Sequence, residues 1–411
     1  LMKILFLTDN FIPEVTPPAT RTFNHTKEWI KSKNIEITII TSFPNFPFGK
    51  VYKGYKNKLY QKEEMGGIKL IRVWTYMAAN AGAFKRIVDQ FSYACTSFFV
   101  GLFCKCDIII ATSPQFFSVW SAYLLSKIKR KPWVFELRDI WPESIYTLGV
   151  IKNERIIKFL EKIELGLYRD ADLIVPVTES FKDNLVNRGI DADKISVITN
   201  GVNTNIFKPM KKNVELIKSL SLEKKFLVGY IGTHGIAHGL EFIVNSSRKI
   251  KDKSIHFLFV GDGAEKDKIK SLVSEYNLKN FTFIDSVSEE VVVDYISICD
   301  ISLVCLKKNK TFESVIPSKM FNMAAVGRPI LLGVEGESRE ILEKYKAGLG
   351  FTPENESSFL TQLMKLKTDK DLYNLSKKGC QKLSEDFDRK KLALNMLNSI
   401  RRTHKKHFSI K

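Results

Sequence analysis

FLVGYIGTHGIAHGLEFI, residues 226–243, decides the fold. Its first seven residues (FLVGYIG) are apolar enough to form a strand buried on both faces. Gly232, Gly235 and Gly239 then break the chain, and LEFI opens a helical stretch. Downstream the same alternation repeats, with strand-like runs HFLFVG (256–261), FTFID (281–285), ISLVCL (301–306) and PILLGV (329–334). Upstream it has already occurred once. KILFLT (3–8), ITIITS (37–42), KLIRV (69–73), CDIIIATS (106–113), WVFEL (133–137), LIVPVT (173–178) and ISVITN (195–200) read as strands, and helical patterns such as Thr20–Ser32 and Lys152–Tyr168 lie between them. Strands of this kind separated by helices predict an α/β chain of two Rossmann-like, doubly wound parallel-sheet domains facing a central cleft. The expected division is 1–200 and 201–384, joined near 200–215, with the helical segment 385–411 packing back on the first domain. In open sheets of this type ligands sit beyond the carboxyl ends of the strands, so the polar residues just after each strand are the ones to examine.

Composition narrows the possibilities. At 411 residues with 44% apolar residues, 22 Gly and 13 Pro, the chain is neither disordered nor collagenous, nor a small disulfide scaffold. Lys and Arg number 64 against 45 Asp and Glu, a formal charge of +19 that favours an anionic partner: nucleic acid, acidic lipid or a phosphorylated substrate. The excess is spread over both halves, +8 in 1–200 and +11 in 201–411, and no nucleic-acid recognition module stands out. Cys95, Cys104, Cys106, Cys299, Cys305 and Cys380 show no metal-hook spacing and read as reduced thiols of a cytoplasmic protein. LMKILFLTDNF (1–11) is broken by Asp9 too early for a signal peptide and reads as a first strand. No uncharged stretch is long enough to span a bilayer. The nearest, Gln90 to Cys104, carries five aromatic residues, and a second between Pro114 and Ser126 is followed by Lys127, Lys129, Arg130 and Lys131. These are either core helices or a basic, aromatic surface suited to an anionic membrane. After Asp388 the C-terminal segment has eight basic residues and no acid, which fits a solvated helix face or contact with lipid headgroups.

The strongest local signal is FESVIPSKMFNMAAVGRPI (312–330). Pro317 and Ser318 open a helix that Gly327 and Pro329 close. Free backbone N–H groups at Ser318 and Lys319 suit a phosphate, Lys319 adds a full charge, and Asn322 lies one turn on, placed for a ribose hydroxyl. An ordinary capped helix would look the same. The glycine-broken loop Gly232-Thr233-His234-Gly235 with His238 lets backbone approach a bulky anion, but it is not a dinucleotide fingerprint, and two histidines without a third ligand make a poor metal site. Gly261-Asp262-Gly263 forms another tight strand-to-helix turn. In the first half Glu136, Arg138, Asp139 and Glu143 cluster in FELRDIWPES (135–144), where Arg138 and Asp139 could also be a structural pair. Glu14 and Arg21, in DNFIPEVTPPATR (9–21), could reach a diphosphate or sugar hydroxyls.

Together these stretches resemble the nucleotide-sugar glycosyltransferases of the GT-B fold, specifically glycosyltransferase family 4, over nearly the whole chain. ITNGVNTNIFKP (198–209) is similar to the family's domain-linking motif. Pro13-Glu14-Val15 with Ala19-Thr20-Arg21, TSFPNFPFGKVYKGYK (41–56), ATSPQF (111–116), RDIWPES and PSKMF…AAVGRPI resemble a bacterial O-antigen and capsule branch that includes N-acetyl-L-fucosamine transferases. The resemblance implies a retaining, metal-independent enzyme with no cofactor, working from a UDP-N-acetylamino sugar. It implies donor and nucleotide contacts at Gly232, Thr233, His234, Gly235, His238, Gly261, Asp262, Gly263, Val287, Pro317, Ser318, Lys319 and Asn322. Catalytic positions would be Glu136, Arg138, Asp139 and Lys319. Glu14, Thr20, Arg21, Ser113 and Glu143 would hold the acceptor, an undecaprenyl-diphosphate-linked sugar. Such an enzyme would be cytoplasmic, peripheral on the inner face of the plasma membrane, with no nucleic-acid partner.

This sequence departs from the family pattern in three places. The family's paired acids fall on Ser314 and Asn322, the Arg and Lys of the loop after the second domain's first strand fall on Thr233 and His238, and Thr16-Pro17-Pro18 replaces glycines in the first loop. Phosphate charge must then come from Lys319, the helix end or a histidine. An amide in place of the ribose-binding acid predicts weaker nucleotide contacts, since hydrogen bonds to charged groups contribute about 1.5–3 kcal/mol and neutral ones about 1 kcal/mol. A GT-B UDP-sugar epimerase is the nearest rival, and a basic nucleic-acid-binding protein a more distant one.

Overall fold

The computed structural model of the chain describes residues 1–14, 16–46, 49–77, 83–113, 116–140 and 153–409. The chain divides into two compact units, Leu1–Thr199 with Lys390–Lys411, and Asn200–Arg389.

In the first unit the strands β1 (Met2–Leu7), β2 (Ile35–Ser42), β3 (Tyr60–Met65), β4 (Ile68–Val73), β5 (Ile108–Thr112), β6 (Trp133–Leu137) and β7 (Leu173–Pro176) form one sheet in the order β3-β4-β2-β1-β5-β6-β7. Every pairing is parallel except β3 with β4. The central strands β5 and β6 are buried throughout, as continuous apolar runs require when helices cover both faces. The helices Ala83–Leu102 and Phe116–Lys129 lie on one face, where Tyr93, Val119 and Leu125 meet Leu5, Ile109 and Phe135. On the other, Trp29 of the helix Pro17–Trp29 packs with Ala393, Met396 and Ile400 of the helix Arg389–Ser409, and Trp29 Nε1 donates to the Ala393 carbonyl at 2.7 Å. That last helix belongs to the first unit although it follows the second in sequence.

Two expectations need correction here. Residues 195–200 (ISVITN) are not a strand: only Ile195 bridges to Ile174. Ser196 and Ile198 donate to the carbonyls of Ile174 and Pro176, but the carbonyls of Ile198 and Thr199 are taken by the Arg21 guanidinium. The ladder therefore stops after one bridge. Secondly, the sheet is not wholly parallel. Met65 pairs with Ile68 across Gly66-Gly67, both at positive φ, making a tight hairpin whose outer strand β3 has no buried residue and forms the sheet edge.

The second unit has β8 (Phe226–Ile231), β9 (Ile255–Val260), β10 (Phe281–Ile284), β11 (Ile301–Cys305), β12 (Ile330–Gly333) and β13 (Gly348–Gly350), all parallel, in the order β10-β9-β8-β11-β12-β13. The order reverses beside β8, which has β9 on one side and β11 on the other; in the first unit β1 stands likewise between β2 and β5. Crevices open at the carboxyl ends of strands flanking such a reversal. This places the loops after β8 and β11 at the crevice of the second unit, and those after β1 and β5 at that of the first.

The C-terminal helix seals an otherwise open face of the first sheet, so its core contacts should matter to that unit. Met396 is fully buried. Met396→Ala should cost about 2–5 kcal/mol, read as a lower denaturant midpoint in equilibrium unfolding.

Candidate active site

The loops that leave β8 and β9 are tied together through their backbones. Gly232 N–H donates to the Val260 carbonyl at 2.9 Å, His234 N–H to that of Asp262 at 2.8 Å, and Glu265 N–H to that of His234 at 2.9 Å. Two glycines make this approach possible. At Gly261 (φ +139°) a Cβ would stand 2.1 Å from the Gly232 carbonyl oxygen, and at Gly263 (φ +154°) 2.5 Å from that of His234. Asp262 is exposed and accepts from the Gly263 N–H at 2.8 Å. Thr233 is exposed, and Gly235 and Val287 are half-buried, the latter against the core.

Into this frame comes the helix Lys319–Ala325. It is only seven residues long, Ser318 caps it without a side-chain hydrogen bond, and the N–H groups of Met320 and Phe321 turn back on the carbonyls of Pro317 and Ser318. So short a helix has a small dipole, and the positive character of the site rests on Lys319 instead. The Lys319 ammonium donates to the Tyr230 hydroxyl at 2.8 Å and lies 4.0 Å from the centre of that ring. No carboxylate among the described residues pairs with it, and burial pushes its pKa down to about 8. Lys266, a buried cation beside the same loops, is spent on the Gly261 carbonyl (2.8 Å) and Asp285 (2.6 Å).

The histidines do not supply charge. Burial first, then the neighbouring lysines, pushes His234 down to about 4; burial and Lys319 do the same for His238. Both are neutral near pH 7 and serve only as polar ring nitrogens. His234 is fully buried with both nitrogens unpartnered, and His238 Nδ1 is unpartnered as well. Asn322 is a third side chain here with a buried polar atom, Oδ1, that lacks a partner. Unsatisfied groups are costly and cluster where a ligand is meant to complete them. Sequence reasoning missed Tyr230, which as an aromatic in a central strand carries no signal beyond core.

In the first unit the candidate residues are mostly committed to one another. Glu14 is buried, and its carboxylate accepts from the backbone N–H groups of Asn45 (2.7 Å) and Phe46 (2.8 Å) and from Asn10 Nδ2 (3.0 Å). Arg21 is buried against Glu136 (2.8 Å) and gives its other nitrogens to the carbonyls of Thr199 and Ile198. These bonds commit both side chains to partners within the first unit. Thr20 is half-buried in the first turn of its helix. Ser113 accepts from the Arg138 N–H at 2.8 Å, while Arg138 Nε and Nη1 and Glu136 Oε2 are buried without hydrogen-bond partners. Burial pushes Arg138 down to about 10. No Arg138–Asp139 ion pair forms among the described residues, and Asp139 is exposed. Glu143 lies outside the described residues. Asp191 and Asp193, the other acidic pair, sit in the surface 3-10 turn Ala192–Lys194.

A bare ammonium held out of water destabilises the fold. Lys319→Met should therefore raise stability at pH 7 by about 1–3 kcal/mol, one pKa unit being worth about 1.4 kcal/mol. The native amine has a lowered pKa, so the unfolded chain binds the extra proton and wild-type stability rises with pH between about 8 and the ordinary lysine value. The advantage of the variant should be full below pH 8, shrink as pH rises toward the ordinary lysine value and be gone above it, as thermal unfolding across that window would reveal.

Comparison with known proteins places the chain in a family. Residues 19–206 match the model of Glycosyltransferase Family 4, and residues 212–382 that of Glycosyl transferases group 1. WcaI of Escherichia coli K12, named as a colanic acid biosynthesis glycosyl transferase, is 25% identical over 81% of this chain and 84% of its own. HepE of Anabaena, solved with UDP, superposes with a TM-score of 0.73 at 16% identity, covering 98% of this chain and 100% of that one. The sucrose-phosphate synthase of Thermosynechococcus elongatus gives 0.74 at 15%, over 98% and 99%. With a matching family region in each of its two parallel-sheet units, the chain is a GT-B glycosyltransferase that belongs to glycosyltransferase family 4.

Proposed function

We propose that this glycosyltransferase moves an N-acetylamino-deoxyhexose, N-acetyl-L-fucosamine above all, from a UDP-sugar to a sugar carried on undecaprenyl diphosphate, in the assembly of an O-antigen or capsule. The observation that carries the donor half is Lys319: a cation with no counter-ion, beside three unpartnered polar side chains, at the strand reversal of the second unit. A diphosphate supplies the missing negative charge, and Asn322 bonds the ribose. HepE, which shares the fold, was solved with UDP. The motifs of the O-antigen branch and the likeness to a protein named for colanic acid biosynthesis support the polysaccharide context.

In this reading the bond between the anomeric carbon and the β-phosphate oxygen breaks through an oxocarbenium-like state, and the acceptor hydroxyl attacks on the face the leaving group vacates. Its proton passes to the departing phosphate, and configuration is retained. The Lys319 ammonium stabilises the charge that grows on that phosphate, so positioning and electrostatics carry the catalysis without a metal. Arg138, Asp139 and Glu136 belong to the acceptor side.

A lipid-linked acceptor brings the enzyme to the inner face of the plasma membrane. The helix Ala83–Leu102 buries Tyr93, Ala94 and Ser97 but turns Phe91 and Phe99 outward, and Phe103 just beyond it is 89% exposed. The neighbouring helix exposes Leu124 and Ile128 and ends at Lys127, Lys129, Arg130 and Lys131. Apolar side chains rimmed by cations suit an anionic bilayer. No helix among the described residues is long and apolar enough to cross one.

Calorimetry against a panel of nucleoside diphosphates should find UDP the tightest ligand. Lys319→Ala should weaken it at least tenfold, and Asn322→Ala should raise the donor KM. UDP binding that ignores both changes would refute the donor assignment. Sedimentation with vesicles should find the protein on phosphatidylglycerol membranes and not on phosphatidylcholine ones. The triple change Phe99→Ser, Phe103→Ser, Ile128→Ser should release it while leaving UDP affinity intact.

A further inference from the structure

We propose that Tyr230 is a positioning residue of this enzyme, holding the Lys319 ammonium at the exit of β8 so that it meets the diphosphate of the nucleotide-sugar donor. The proposal rests on the donor reading above and adds to it the device that aims the cation. Tyr230 is fully buried in the central strand of its sheet. Its phenol has one proton, which goes to the Thr233 carbonyl at 2.5 Å, and burial keeps that proton in place by pushing the pKa up. Only lone pairs are then left for Lys319, whose ammonium donates to the same oxygen at 2.8 Å. One hydroxyl thus joins the strand-exit loop to a side chain 89 residues away.

The chemistry of the partner matters. A carboxylate in this place would hold the lysine more firmly but cancel its charge. A phenol oxygen and a ring face hold a cation while leaving its full positive charge for an incoming phosphate. Gly232 lies beside the amine, where its φ of +140° favours glycine and a Cβ would make only ordinary contact with Lys319 Nζ at 3.5 Å.

Among the described residues the titratable groups around the amine leave it a cation that no acid pairs, with Lys266 and Lys270 also acting on His234. The Cys305 thiol is pushed up to about 12 by burial and stays neutral, as do His234 and His238, whose rings lie 5.6 and 6.0 Å from that of Tyr230. Lys266 is paired with Asp285.

The test uses the full-length protein and follows UDP affinity by calorimetry from pH 6 to 9.5, with donor KM and kcat alongside. In the wild type, affinity should fall as pH rises through about 8, where the free Lys319 gives up its proton. Tyr230→Phe keeps the ring but removes the acceptor. It should weaken UDP about tenfold at pH 7, as expected for one charge-assisted hydrogen bond, move the fall to lower pH, and lower kcat at saturating donor as well, because the same ammonium meets the charge on the leaving phosphate. Lys319→Arg should abolish the fall over this range. Replacing Tyr230 by 3-fluorotyrosine, which weakens the acceptor oxygen and the ring face in an otherwise unaltered side chain, should give an intermediate loss even where Tyr230→Phe does not fold. Wild-type affinity and pH profile in the phenylalanine or the fluorotyrosine protein would overturn the role of Tyr230; if Lys319→Ala still lost UDP, the donor reading would stand. A wild-type protein that does not bind UDP would sink both.

Discussion

An amine set on the face of an aromatic ring, with no acid to neutralise it, is the constraint around which the second unit is arranged. Left alone, Lys319 would turn to water or lose its proton. Its place is kept by contacts from separate chain segments: the hydroxyl and ring of Tyr230 on β8, the bare backbone of Gly232, and the short helix that carries it. The backbone lock between the β8 and β9 exits fixes the first two. Gly261 and Gly263 are needed because that lock brings carbonyl oxygens where side chains would start. Unpartnered polar atoms of His234, His238 and Asn322 gather beside Lys319, although Ser302, Arg328, Arg339 and Ser376 leave others elsewhere in the unit. Such a local cost, in an otherwise consistent fold, marks where function was favoured over stability.

The first unit handles its charges differently. Arg21, Glu136 and Glu14 are buried and bonded to one another or to backbone, so they hold the loop after β1, the end of β6 and the Ile198–Thr199 segment in one arrangement. Removing one member would strand its partner's charge, which costs far more than the pair contributes. These are framing residues. Arg138 is the exception, with two guanidinium nitrogens unpartnered beside a backbone N–H anchored on Ser113. It is the group on this side that still has hydrogen bonds to give.

Much of this was legible in the sequence because burial on both faces leaves a clear mark. WVFEL and FLVGYI coincide with β6 and β8 almost residue for residue, since strands covered on both faces read as near-continuous apolar runs, with Glu136 admitted only because Arg21 pairs with it. ISVITN carries the same mark and is not a strand, because its carbonyls found a guanidinium before they found a ladder. The edge strand β3 was invisible for the opposite reason: YQKEEM faces water, and its one signal, the Gly66-Gly67 turn, lies outside it. At the site, Lys319, Asn322 and the glycine loops were readable as residue types suited to a phosphate. That the histidines are neutral, that Lys266 is spent and that Tyr230 is the partner of Lys319 depend on which side chains converge, and local pattern does not encode convergence.

The replaced residues of the family pattern make physical sense together. Where relatives resemble one another in setting acids near positions 314 and 322, this chain has a serine and an amide. An acid one turn below Lys319 would be the natural counter-ion of an ammonium already short of one, and would reduce the field offered to a phosphate. With the loop positions at Thr233 and His238 uncharged, Lys319 is a cation that no acid pairs among the described residues, and neutralising it would weaken the attraction for the donor. Asn322 avoids that loss: its oxygen can still accept from a ribose hydroxyl, yet it brings no charge to compete. The amide and the lone lysine are therefore better understood as one coupled solution than as separate weaknesses.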